Sequence, residues 1–346
     1  MTPLRFAILG AGFWSHCQLS AWQELEGVEC VAIYNRTRHK AEQLASSHNI
    51  AAAIYDDVDQ MFKDFPDLDF VDIITDVDTH VPFAKCAAEL GIPVICQKPL
   101  APTLELAEEL VSFCQDRQVP LLVHENWRWQ CTLRAVRDTL DQGAIGKPFR
   151  GRIQYSNSFP VFRDQPFLKE LDQFILTDIG THILDVARFL FGEASSLFCI
   201  THRVHSDIKG EDVATVMMEM DGISVVCEMS YASRMEHDRF PETFVLIEGE
   251  RGSLELGPDY WLRITTDQGT IARRIVPHSY AWTAPTHVLI HQSIVPCHEN
   301  LVTAIRHSKL GNSSNSAETT GTDNLQTLRL VYGAYESATK HRSITF

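Results

Sequence analysis

No apolar run in the 346 residues approaches the ~20 needed to carry a helix through a bilayer. The start, MTPLRFAILGAG, enters an apolar strand at once, with no small-residue cleavage site behind an apolar core, so no secretory signal is expected. No C-x-x-C occurs among the nine cysteines at 17, 30, 86, 96, 114, 131, 199, 227 and 297. An odd count without metal-ligand spacing is that of reduced thiols, so a cytoplasmic protein without a metal is expected. Lys and Arg form no cluster, and a net charge of -15 argues against nucleic acid, whose phosphates need one. Acidity of this size bears on solubility and says little about the ligand. No internal repeat divides the chain.

What is present is the composition of a folded soluble protein, 45% apolar and 22% charged, in a chain too long for one ordinary core. Two domains are expected, at 1–125 and 126–346, the last helix able to pack back on the first domain. Five short apolar runs occupy the first part: 6–9, 30–34, 70–74, 93–96 and 120–123. Each is near-continuously apolar, as strands covered on both faces are. Helical patterns at 13–25, 37–47, 80–90 and 103–117 separate them, and this alternation predicts βαβ units and a parallel sheet. In such a sheet ligands bind beyond the carboxyl ends of the strands. The residues delivered there are Gly10-Ala11-Gly12, Asn35-Arg36-Thr37, Thr75-Asp76, Gln97-Lys98-Pro99 and His124-Glu125-Asn126, all polar or small.

After Trp129 the texture changes. A helix at 132–142 precedes alternating or amphipathic segments at 149–158, 197–205, 213–220, 223–231, 243–249, 252–256, 259–265 and 270–276, which read as an antiparallel sheet. Helices are expected at about 178–191, 286–308 and 322–340, with a surface loop at Gly311–Ser316. The fold class is therefore α/β, an N-terminal Rossmann-type parallel sheet followed by an α+β domain on a largely antiparallel sheet.

Gly10 permits a tight turn after the first strand, and Gly12 lets a pyrophosphate approach the backbone and the positive end of the helix that opens at Phe13 and Trp14. The third glycine of this fingerprint is Ser15, still small. Asn35 stands where an acid would accept from the adenosine ribose of NAD, so with Arg36 and Arg38 beside it NADP is tolerated as well. The alternative for these arginines is a solvated loop. Lys98 is held extended by Pro99 and is placed to orient or protonate a substrate oxygen, the alternative being a surface charge. Asp178, His182 and Asp185 fall at i, i+4 and i+7, one helical face. A histidine there is either a satisfied core residue or a general acid–base with Asp178 orienting it. Trp127 and Trp129 are either core or flat surfaces for a sugar, with Asn126 and Arg128 bonding its hydroxyls in the second case.

Taken together, AILGAGFWS, Thr79-His80, Gln97-Lys98-Pro99, Asn126 with Arg128, DIGTHILD at 178–185 and the helix from Asp323 to Ser337 resemble the family of glucose–fructose oxidoreductase, inositol dehydrogenase and MocA. The likeness covers nearly the whole chain. It implies a nicotinamide-dependent sugar or polyol dehydrogenase with Lys98, Asp178 and His182 as the catalytic set. Thr75, His80 and Gln97 would join Gly10, Gly12, Phe13, Trp14, Asn35, Arg36 and Lys98 at the cofactor, with His80 near the nicotinamide ribose. Within the family, QKPLAPTLE, VHENWRW, DQPFL, FLFGE and GEDVAT are most similar to the branch that oxidises the pentose D-apiose to its lactone with NAD, which pulls toward NAD(+) over NADP(+). Departures from the family pattern are Ser15, Asn35, Gln97 and Asp76. The expected partners are a small sugar or polyol and further copies of the chain, a dimer or tetramer. Rival functions are a dinucleotide sensor without catalysis, and a glycosidase that uses NAD transiently.

Overall fold

The computed structural model describes residues 2–236, 240–310 and 317–346; the Gly311–Ser316 loop lies outside them. The chain divides into two compact units, Met1–Glu125 with Ile294–Leu325, and Asn126–Ser293 with Gln326–Phe346.

The first unit alternates strand and helix: β1 (Leu4–Leu9), α1 (Phe13–Gln23), β2 (Val28–Tyr34), α2 (Arg38–Ser47), β3 (Ala53–Tyr55), α3 (Val58–Asp64), β4 (Phe70–Ile73), α4 (His80–Glu89), β5 (Val94–Gln97), α5 (Leu104–Asp116) and β6 (Leu121–His124). Side-chain oxygens at the caps set two helix starts: Asp57 accepts from the Gln60 amide and Thr103 from the Leu106 amide. The strands pair in parallel in the order β3-β2-β1-β4-β5-β6. Winding starts at β1 and runs outward both ways, so the crossovers part between β1 and β4, where a doubly wound sheet leaves a crevice. β4 and β6 are buried at every residue, as strands between two helical layers must be. The sequence pattern predicts five strands here and the structure has six. β3 has only three half-buried residues and α3 only seven, too short for a periodic signal.

The second unit opens on a 3₁₀ turn at Trp127–Trp129 and continues with α6 (Cys131–Asp141), β7 (Pro148–Ser156), α7 (Val161–Asp164), α8 (Ile175–Asp178), α9 (Gly180–Phe191), β8 (Ala194–His202), β9 (Val213–Met220), β10 (Ile223–Ser230), β11 (Phe244–Gly249), β12 (Gly252–Gly257), β13 (Trp261–Thr266) and β14 (Gly269–Arg274). Two long helices, α10 (Val288–Lys309) and α11 (Gly321–Lys340), and the short β15 (Ile344–Thr345) complete the chain, each helix contributing residues to both units. The sheet runs β14-β13-β12-β11-β7-β10-β9-β8-β15. It is antiparallel except where β10 lies parallel to β7, which agrees with the largely antiparallel sheet expected. The chain leaves β7, makes three helices and the β8–β9 pair, and turns through Asp221 (φ 50°) and Gly222 (φ 80°) into β10. Alternation along a strand reveals its buried face, not its polarity, so this pair was invisible in sequence. β9 alternates buried and exposed residues from end to end, which fits a sheet covered on one face. α9 is buried nearly all round and packs on β7, β10 and the Trp127 turn. The helix expected at 178–191 is broken at Ile179 into α8 and α9.

Candidate active site

In the first unit the glycine turn has the required geometry. Gly10 has φ 114°, and a Cβ on it would stand 2.7 Å from the Ile74 carbonyl oxygen, so only glycine lets β1 and β4 end side by side. Gly12 is the extended N-cap of α1, and a Cβ on it would meet nothing within 4 Å. The space above that amide is open, the shape a pyrophosphate at a helix N-terminus needs. Ser15, buried, accepts from the Gly12 amide at 3.2 Å, so the hydroxyl in place of the third glycine closes the first turn. Phe13 is 65% exposed with its ring edge-on to Trp14.

Asn35 braces this turn: its Oδ1 accepts from the Ala11 amide at 3.0 Å and its Nδ2 donates to the Thr37 carbonyl at 2.9 Å. The carboxamide expected beside the ribose thus uses one atom of each kind to tie two crevice loops together. Arg36 is exposed, and Arg38 is engaged by Glu42 at 3.2 Å and Asp56 at 3.7 Å.

His80 is 1% exposed, with Nε2 3.0 Å from the Thr75 carbonyl oxygen and Nδ1 2.9 Å from that of Pro99. Burial lowers its pKa against the opposing pull of the two carbonyls. It buckles the residues after β4 to those after β5. Lys98, half-buried, follows directly; its amide donates to Gln97 Oε1 at 2.9 Å and its peptide bond to Pro99 is cis.

In the second unit His182 lies on the first turns of α9, its ring stacked flat on the indole of Trp127 with centroids 4.7 Å apart and planes at 6°. Tyr155, from β7, meets the same indole at a steep angle, 5.1 Å and 64°. Asp178, half-buried at the end of α8, accepts from the Tyr231 hydroxyl at 3.3 Å. Burial, with Asp178 and then Tyr155 nearby, pushes the Tyr231 phenol well above its ordinary pKa, so it stays a donor. Tyr155 and Tyr231 were missed in sequence. The available signal was inward alternation in β7 and β10, which buries tyrosine hydroxyls that then need partners.

α8 is itself held. The Glu211 carboxylate accepts from the amides of Phe174 (3.3 Å) and Leu176 (3.2 Å) and from the Tyr335 hydroxyl (2.7 Å). This acceptor satisfies amides that a helix start leaves over.

The remaining expected residues have other engagements. Arg128 makes a two-pronged ion pair with Asp185, Nε at 2.8 Å and Nη2 at 2.5 Å, and the Thr327 hydroxyl donates to the same carboxylate at 3.2 Å. Arg128 and Asp185 are buried, and this pair binds the Trp127 turn to α9. Asn126 donates to Ser293 Oγ at 2.6 Å. Trp129 is covered by the Arg134 guanidinium at 3.6 Å. Among the described residues no three His, Cys, Asp or Glu side chains group as metal donors, and no helix is long and apolar enough to cross a membrane.

Two family models match the chain. Residues 4–125 match an oxidoreductase family with an NAD-binding Rossmann fold, and residues 133–255 match a GFO/IDH/MocA C-terminal domain. A protein of Paraburkholderia graminis named D-apiose dehydrogenase is 39% identical over 98% of this chain and 88% of its own length. Another of that name, from Rhizobium rhizogenes, is 36% identical over 99% of this chain and 98% of its own. The crystal structure of an oxidoreductase from Agrobacterium radiobacter with NAD+, L-tartaric acid and magnesium superposes with a TM-score of 0.94 at 36% identity, covering 99% of this chain and 98% of that one.

Proposed function

Because the chain belongs to the GFO/IDH/MocA oxidoreductase family and carries its NAD-binding Rossmann domain, we infer that it oxidises the anomeric carbon of a cyclic aldose, D-apiose, to a lactone. The observation that carries the substrate is the similarity, over nearly the full chain, to two proteins named for D-apiose. Bound NAD+ supplies the hydride acceptor, and the open space over Gly12 with the α1 amides behind it suits its pyrophosphate. Asn35 and His80 hold the loops that would carry it, with Gly10, Phe13, Trp14, Arg36, Thr75, Gln97 and Lys98 as the other cofactor-side residues.

His182 acts as the general base and takes the proton of the anomeric hydroxyl. Lys98 donates a hydrogen bond to that oxygen as it becomes negative, and the oxygen becomes the lactone carbonyl as the anomeric C–H leaves as hydride. Asp178, held by Tyr231, orients the imidazole. The reaction loses one proton and one hydride and balances without a metal. A histidine suits the first task because its ordinary pKa lies near neutrality.

Asn126 and Arg128, with Trp127, are the candidate residues on the sugar side, and Arg128 is oriented by its ion pair with Asp185. The chain also works as a homo-oligomer in the cytoplasm. Phe198, Met217, Val226, Arg152 and Leu246 form one cross-strand row on the outer face of the second unit's sheet, and Met217 is 54% exposed. A second copy of the same face would cover it; a monomeric mass by light scattering would exclude this. For the reaction, aldoses and polyols are screened with NAD+ and NADP+ at the NADH absorbance, and the D-apiose product is identified by mass. Formation of a lactone with NADH is expected. Turnover of polyols alone would move the chemistry to a secondary alcohol and overturn the anomeric assignment.

A further inference from the structure

His182 lies face to face with an indole, and both rings are enclosed, Trp127 at 2% and His182 at 6% exposure. The stack has little freedom to slip. Tyr155 closes one side of Trp127, and the residue after it, Arg128, is riveted to Asp185, three positions beyond His182 on α9. One ion pair therefore fixes both rings, acting one residue from the indole and three from the imidazole.

An indole face carries the negative side of its quadrupole and attracts a cation within ~6 Å of the ring centre. A neutral imidazole gains far less. Burial does the opposite, because it disfavours the charged form. A base enclosed without compensation would hold a proton too weakly to take one from a sugar hydroxyl.

We propose that Trp127 is the positioning residue of His182: its face fixes the imidazole plane and favours the protonated ring over the neutral one. The catalytic meaning of this rests on His182 being the base of the reaction above; the effect on the ring itself does not. Charged and titratable groups on the elements around α9 have partners of their own: on β7 Arg150 pairs with Glu248 and Arg152 with Glu228 of β10, and on α9 Arg188 pairs with Glu193. Asp178 precedes it on α8 and is bonded by Tyr231, which follows β10; Tyr155 comes from β7. Asp185 and Arg128 neutralise each other. On α6, Arg134 stacks on Trp129 and Phe189, and Arg137 is engaged by Asp141 and the Leu190 carbonyl. Replacing the Trp127 side chain deletes none of these groups.

The test is the proton affinity of His182 itself, read by NMR in full-length protein with 13C-labelled histidine, the signal assigned by its loss in His182→Gln. In Trp127→Leu the pKa of His182 should fall by about 0.5 to 1.5 pH units. Growth with a polyfluorinated tryptophan, which drains the face of all six indoles but deletes no side chain, should lower it in the same direction. An unchanged His182 pKa in either sample overturns the proposal. The acid limb of the kcat/KM profile should move to lower pH with it. A limb that stays while the NMR value falls supports the role of Trp127 and counts instead against His182 as the base.

Discussion

Asp72 lies at the centre of the parallel sheet, on β4 between β1 and β5, and is fully buried. Its Oδ2 accepts from the Trp22 indole at 2.7 Å, and its Oδ1 has no hydrogen-bond partner among the described residues. Burial raises the carboxyl from 3.8 to about 7, the Trp22 bond opposing weakly. At ~1.36 kcal/mol per pH unit this rise corresponds to about 4 kcal/mol. The sign follows from linkage. Below pH ~4 folded and unfolded chains both hold the proton and the site costs nothing. Between pH ~4 and ~7 only the folded chain holds it, so stability falls steadily as pH rises, and above ~7 the loss is complete. Asp72→Asn resembles the protonated form and removes this dependence. Denaturant unfolding of both proteins at pH 5 and pH 8 should show the native protein losing about 3 kcal/mol more than Asp72→Asn over that interval. Equal losses would show that Asp72 is ionised in the folded protein and that the reasoning from burial is wrong.

Gly12→Val should abolish NAD+ binding by titration while the protein stays soluble and folded, since its side chain would fill open space above the α1 amides and displace nothing; unchanged affinity would remove the cofactor from that turn. Arg128→Ala should lower stability by about 3–5 kcal/mol in denaturant unfolding, because it strands a buried carboxylate; an unchanged unfolding free energy would count against the pair.

The parts of the fold legible in sequence are those written in local pattern. Continuous apolar runs announced β1, β2, β4, β5 and β6, and Gly10 with Gly12 announced the turn that the structure bends against Ile74. Local spacing put Asp178, His182 and Asp185 on one helical face, but the helix breaks at Ile179 and leaves Asp178 on α8 and the other two on α9. What was illegible depends on partners distant in the chain. Arg128 sits 57 residues from Asp185, and nothing in their local surroundings announces the ion pair between them. Tyr231 and Asp178 are 53 apart, and Tyr231 follows β10, whose parallel pairing with β7 no local pattern announces. Asn35 was read at the end of β2, but its bonds to Ala11 and Thr37 were not foreseen, since a strand end does not reveal which neighbouring loop it will brace.

The measurement that bears most directly on the account is turnover and melting temperature taken on one sample of His182→Ala. Loss of the general base should lower kcat by ~10²–10⁴-fold. NAD+ affinity should change little, because the glycine turn and Asn35 belong to the other unit. Its melting point can fall modestly, since the imidazole also covers Trp127. A destabilised protein with undiminished specific activity would make His182 a core residue and contradict the account.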